Sequence, residues 1–86
     1  MALQPGIYRH YKGQLYKVIG TARHSETEEY VVVYQALYGE YGLWVRPLSM
    51  FSETVEVDGE QIARFSLQTA EPELFIKPDQ AGSAYL

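Results

Sequence analysis

Residues 15–37, LYKVIGTARHSETEEYVVVYQAL, decide the fold, because two runs of β-forming residues flank a polar loop. The first run, residues 15–22, contains Gly20, which predicts a bulge or bend within a strand. The second run, residues 30–37, is almost continuously apolar and predicts a central strand buried on both faces. The loop RHSETEE between them is either the polar connection that a buried strand needs or part of a binding site.

Further strand and turn signals continue on both sides of this segment. Residues 6–11 predict a first strand, and residues 43–46 a fourth strand that Pro47 ends. Residues 48–51 suit a single helical turn, and residues 54–57 and 62–67 a last hairpin around Asp58-Gly59. Short strands without a long amphipathic helix predict an all-β fold, either a small SH3-like barrel or a rolled antiparallel sheet of about five strands with one short helical turn.

The length of 86 residues predicts one small domain, which we place at residues 1–68. From residue 69 onward the composition changes to prolines and small residues without alternation, so residues 69–86 are predicted to be an extended or disordered tail. Leu74-Phe75-Ile76 is an exception, since three adjacent apolar residues can dock on the barrel.

Composition excludes several classes of function. The chain has no cysteine, which excludes disulfides and thiolate metal sites and indicates a cytoplasmic protein. It has neither a signal-peptide pattern nor an apolar run of about 18 residues, so no membrane association is expected. The net charge of −4 argues against non-specific binding to duplex nucleic acid.

Two groups of polar residues are candidates for a site. Arg23, His24 and Glu26 follow the second predicted strand, where they either project from a fixed rim or form a local salt bridge and turn. Strand alternation places Trp44 and Arg46 on one face, which suits a carboxylate, a phosphate or a planar ring. The alternative is that Trp44 is a core residue and that Arg46 pairs with Glu53 or Glu56.

No pattern predicts a metal, a cofactor or a catalytic residue. Two histidines without a recognised spacing do not define a zinc site. His24 and Ser25 are adjacent in an extended segment and point apart, so they do not form a nucleophile and base pair.

The motifs GIYRHYKG, ARHSET, VVYQALY, WVRPLSMFSETV and RF, taken together, closely resemble a family of small bacterial proteins known as domain of unknown function 1653 (DUF1653). The resemblance covers residues 6–65. It implies a β-rich bacterial domain with no established activity, and its motifs specify the polar positions His10, Lys12, Arg23, His24, Ser25, Glu26, Thr27, Tyr34, Trp44, Arg46 and Glu53.

We therefore predict a non-catalytic binding module for a small anionic ligand, a nucleotide or a peptide. The predicted ligand-binding residues are Arg23, His24, Glu26, Tyr34, Trp44 and Arg46. Ser25, Glu53 and His10 are predicted to contact and support these residues rather than the ligand itself. The hypothesis requires the arginines and His24 to converge on one hollow beside Trp44. The alternatives are a small enzyme that uses His24 as general acid or base, and a structural subunit that binds a protein partner.

Overall fold

Seven β-strands and one helical turn follow one another along residues 3–71, the part of the chain that the computed structural model describes. They are β1 Gly6–His10, β2 Leu15–Arg23, β3 Tyr30–Ala36, β4 Leu43–Pro47, α1 Leu48–Phe51, β5 Thr54–Val57, β6 Glu60–Ala63 and β7 Phe65–Ala70. The predicted all-β class with one short helical turn is confirmed. Within residues 3–71, no helix has the length and apolar character needed to cross a membrane.

Five strands form one antiparallel sheet in the order β4-β3-β2-β1-β7, and β5 pairs with β6 in a separate hairpin. The predicted Asp58-Gly59 turn joins β5 to β6, and its two residues have φ of 52° and 82°, as a two-residue type I′ turn requires. The bulge predicted at Gly20 is also confirmed, since the β2–β3 register shifts between Val18 and Gly20.

The prediction of one strand over residues 62–67 was wrong, because the chain changes sheets at Arg64. The backbone N–H of Arg64 donates to the Glu53 carbonyl over 3.0 Å, and the Arg64 carbonyl accepts from the backbone N–H of Tyr11 over 2.8 Å. These two bonds end the β5–β6 hairpin and direct Phe65 into the main sheet, where it pairs with His10 of β1.

β7 continues to Ala70, so strand pairing extends beyond residue 68, where the sequence predicted the domain to end. The backbone N–H of Glu71 then donates to the Pro5 carbonyl over 3.0 Å, and the Glu71 carboxylate lies 3.5 Å from Lys17 Nζ. The predicted docking of Leu74-Phe75-Ile76 lies outside the described residues.

The sheet is strongly curled. Four strand spacings separate β4 from β7, which in a flat sheet amounts to about 19 Å. Nevertheless, the guanidinium of Arg46 on β4 lies 5.7 Å from the ring centre of Phe65 on β7. Among the described strands β4 and β7 remain edges that do not pair, so they do not form a closed barrel and the SH3-like closure is unconfirmed.

The core lies on the concave face and consists of Tyr8, Val18, Val32, Tyr34, Phe51 and Phe65. Phe51 comes from α1, is 2% exposed and stacks on Phe65 with ring centres 4.0 Å apart and planes 3° apart. Thus the helical turn predicted after Pro47 places a ring between the two edges of the sheet. Trp44 is not part of this core, because it is 59% exposed.

Candidate functional site

The β2–β3 turn holds its predicted site residues in local contacts. His24 Nδ1 accepts the backbone N–H groups of Glu26 and Thr27 over 3.1 and 3.3 Å. The His24 backbone closes the same turn, since its N–H donates to Glu29 and its carbonyl accepts from Glu28. In the neutral imidazole the proton therefore lies on Nε2. Nδ1 is then the nitrogen that would act as a base, and it already accepts two hydrogen bonds. This geometry favours a structural role for His24.

Arg23 is also engaged within the turn. Its guanidinium lies 3.5 Å from the Glu28 carboxylate, donates to the Tyr30 hydroxyl over 3.0 Å and covers the Tyr30 ring at 4.6 Å. Ser25 and Glu26 are exposed beside it. This arrangement matches the local salt bridge and turn that the sequence left open as an alternative to a site.

Arg46 lies in a different environment. It is half-buried, and its guanidinium covers the Phe65 ring at 5.7 Å. Among the described residues it forms neither an ion pair nor a side-chain hydrogen bond. Neither carboxylate expected to pair with it does so, and Glu53 instead lies 3.3 Å from Arg64 Nη2. A half-buried guanidinium without an anionic partner is costly to desolvate, so it is a favourable place for an external anion.

His10 contacts the same phenylalanine ring. Its imidazole is edge-on to Phe65 with ring centres 4.9 Å apart, and its Nδ1 accepts the backbone N–H of Lys12 over 3.2 Å. Burial lowers the pKa of His10 below its ordinary value, and the positive charges of Arg64, Arg46 and Lys12 lower it further. The neutral ring therefore carries its proton on Nε2 and offers a hydrogen-bond donor in a region of positive potential.

Tyrosine hydroxyls border these cations. The hydroxyl oxygens of Tyr16 and Tyr38 lie 2.6 Å apart, and the Tyr16 ring is edge-on to both Tyr34 and Phe65. Burial, followed by the hydrogen bond and charge interaction with Tyr38, raises the pKa of Tyr16 to about 12. Tyr16 is therefore a neutral phenol at physiological pH, which can donate or accept a hydrogen bond but does not act as an anion.

We call the surface formed by five of these residues the Arg46 face: His10, Tyr16, Tyr34, Arg46 and Phe65. Arg64 adjoins it, and its Nε is buried without a hydrogen-bond partner among residues 3–71. The face therefore combines arginine charge, an imidazole donor and phenol groups around an aromatic ring. This chemistry suits an anion.

The structure thus divides the predicted site into two parts. Tyr34, Arg46 and His10 come together, and Trp44 lies on the same side of β4, paired with Tyr34. Arg23, His24, Ser25 and Glu26 lie at the β2–β3 turn, and no hydrogen bond, ion pair or cation–π contact in the described part of the chain joins them to Arg46. A separate shallow cavity of about 360 Å³ lies at the start of β3, lined by Glu29, Tyr30, Leu48, Ser49 and Ser52.

Sequence reasoning missed Tyr16, Arg64 and Phe65 as members of the site region. A signal for two of them was present, because the RF motif of the family resemblance falls on Arg64-Phe65. Tyr16 had no distinguishing signal, since tyrosine is common in strands and its role depends on which distant residues meet it. Within residues 3–71, no group of three or more His, Asp or Glu side chains is arranged to hold a metal ion.

Together, the fold and this surface define a small antiparallel β-sheet protein in which a side chain of one edge strand, Arg46, reaches a ring of the other, Phe65, at a cationic, aromatic face. The chain belongs to the family described as "Protein of unknown function (DUF1653)", whose sequence profile matches residues 6–67. It is similar to a crystal structure of a DUF1653 protein from Bordetella bronchiseptica, with 42% sequence identity, a TM-score of 0.73, and coverage of 83% of this chain and 95% of that chain. No curated protein matches the chain. The family resemblance seen in the sequence motifs is confirmed.

Proposed function

We propose that the protein is a non-catalytic binding module that holds a small anionic ligand at the Arg46 face. The observation that carries this proposal is the Arg46 guanidinium, half-buried against Phe65 and without an anionic partner among the described residues. A ligand carboxylate, phosphate or sulfonate would supply the missing charge, and arginine can hold such groups with two parallel hydrogen bonds.

Local charge supports this choice of ligand. The whole chain carries a net charge of −4, yet Arg46, Arg64 and Lys12 all act on the imidazole of His10. Of the nearby carboxylates, Glu53 is already paired with Arg64. A local positive region on an acidic protein attracts small anions while the remaining surface repels them.

The test is an NMR titration of the full chain with methanesulfonate, a small anion whose charge does not change near neutral pH. We expect shifts of backbone amides in β1, β4 and β7. Arg46→Gln should weaken binding about tenfold to a hundredfold, because a hydrogen bond to a charged group contributes about 1.5–3 kcal/mol. The variant should keep the melting temperature close to that of the unmodified protein.

Two matched arginine variants serve as controls. Arg9→Gln removes the same charge from β1, where Arg9 donates to the Gly13 carbonyl on the strand face opposite His10. Arg23→Gln tests the site predicted from sequence. Binding that is weakened equally by Arg9→Gln would show that only overall charge matters and would overturn the proposal, as would no binding at all. If Arg23→Gln weakens methanesulfonate binding as much as Arg46→Gln does, Arg23 also belongs to the ligand site.

The catalytic alternative predicted from sequence gains no support from the contacts of His24, whose Nδ1 already accepts two backbone N–H groups. Turnover that depends on His24 would require this turn to open.

A further inference from the structure

A large aromatic side chain stands exposed beside the Arg46 face. Trp44 is 59% exposed, although an indole of its size usually buries most of its surface. In the β3–β4 register Trp44 pairs with Tyr34 and Arg46 pairs with Val32, so the indole and the guanidinium project from the same side of β4. Their positions along the strand are about 7 Å apart.

An open cavity of about 230 Å³ lies next to this indole. Its lining consists of Ala36, Tyr38, Gly39, Glu40, Gly42 and Trp44. Gly42 adjoins the indole, since a Cβ at this position would lie in van der Waals contact with it, 3.5 Å from Trp44 Nε1. The volume and the flat wall suit a planar ring rather than a lone small anion.

Side-chain contacts link the wall of the cavity to the Arg46 face. Tyr38 lines the cavity, and its hydroxyl lies 2.6 Å from that of Tyr16, a member of the Arg46 face. The Tyr16 ring contacts Phe65, which Arg46 covers. Trp44 and Arg46 also project from the same side of β4, so a ligand ring beside the indole has the guanidinium within reach on the same surface.

We propose that the ligand is a planar aromatic or heteroaromatic ring carrying an anionic group, with the ring beside Trp44 and the anion at Arg46. This inference rests on the proposed function and specifies its ligand class. The charge of the ligand is complementary to the arginine, and the ring fills a space that a simple anion leaves empty. Glu40 at the cavity wall additionally favours ring substituents that donate hydrogen bonds.

The experiment compares three sulfonates of equal charge on the full-length protein: methanesulfonate, cyclohexanesulfonate and naphthalene-2-sulfonate. We expect the naphthalene compound to bind about tenfold more tightly than either of the others, because a ring stacked on an aromatic side chain adds to simple apolar burial. If methanesulfonate binds and the naphthalene compound gains nothing over cyclohexanesulfonate, the ligand class is wrong while the anion site stands. If none of the three binds, the proposed function fails as well.

Three variants locate the ring. Trp44→Leu should remove the tenfold gain and leave methanesulfonate affinity unchanged. Gly42→Leu should also remove the tenfold gain, because the leucine side chain fills the cavity. Residue 42 does not have the positive φ that only glycine adopts readily, so the substitution causes no backbone strain. Tyr30→Leu is the matched control, because Tyr30 is an exposed ring beneath an arginine at the opposite end of β3. A gain that survives both Trp44→Leu and Gly42→Leu, or that Tyr30→Leu abolishes equally, would overturn the placement of the ring.

Discussion

At the scale of single residues, His10 connects the chemistry of the site to the stability of the fold. Burial and the nearby positive charges of Arg64, Arg46 and Lys12 lower its pKa below 6.5 in the folded protein. In the unfolded chain the same ring takes up a proton near pH 6.5. The stability that neutral His10 contributes is therefore fully present above pH 6.5, and it is lost as the pH falls through the folded pKa.

We predict that His10→Gln, which cannot be protonated, loses less free energy of unfolding between pH 7.5 and pH 5 than the unmodified protein does. Urea unfolding at several pH values measures this difference. Identical slopes for the unmodified protein and His10→Gln would show that the environment of His10 does not disfavour its charged form.

At the scale of elements, local patterns predicted most strands but not their partners. Alternation correctly placed Trp44 and Arg46 on one side of β4, and Asp58-Gly59 correctly predicted a hairpin. The division at Arg64 was missed because its cause is a backbone bond to Glu53, eleven residues away, and not a change in local β-propensity. Contacts between residues far apart in the sequence leave no mark on local strand patterns. Alternation therefore indicated which side chains share a face, but not that a side chain of β4 reaches β7.

The pairing of β1 with β7 depends on Gly6. This residue has φ +147°, a left-handed conformation, and a Cβ at its position would collide with the Thr69 carbonyl oxygen. We predict that Gly6→Ala lowers the free energy of unfolding by about 2–4 kcal/mol, because backbone strain and a clash act together.

Gly13→Ala is the matched control for this prediction. Gly13 also has a left-handed φ, +107°, but a Cβ there would meet nothing within 4 Å. The cost should therefore be limited to about 1 kcal/mol of backbone strain, measured by urea unfolding. Equal costs at the two glycines would mean that the contact with Thr69 contributes nothing.

At the scale of the whole molecule, the curled sheet packs around Phe51. Its ring stacks on Phe65 and is edge-on to Tyr8 and Tyr34, so one residue of α1 contacts side chains from β1, β3 and β7. Small domains have a net stability of about 5–15 kcal/mol, and a chain of this length lies toward the low end of that range. Removing a buried phenylalanine costs about 3–5 kcal/mol.

We predict that Phe51→Ala leaves the protein largely unfolded at 37 °C, whereas Phe51→Leu costs about 1–2 kcal/mol and remains folded. Circular dichroism and urea unfolding distinguish these outcomes. Met50→Ala, at the exposed neighbouring position of α1, should change stability by less than about 0.5 kcal/mol. A folded, cooperative Phe51→Ala variant would show that the sheet curls without this ring.

The unpaired edges of the sheet have a consequence for how this architecture can vary. The diameter of a fully hydrogen-bonded barrel is set by its number of strands and their stagger, which no single substitution alters. In residues 3–71 the approach of β4 to β7 is instead secured by a ring stack and one arginine over a ring. The distance between these two edges therefore depends on a few side chains, so single substitutions at these positions can change it without any change in strand pairing.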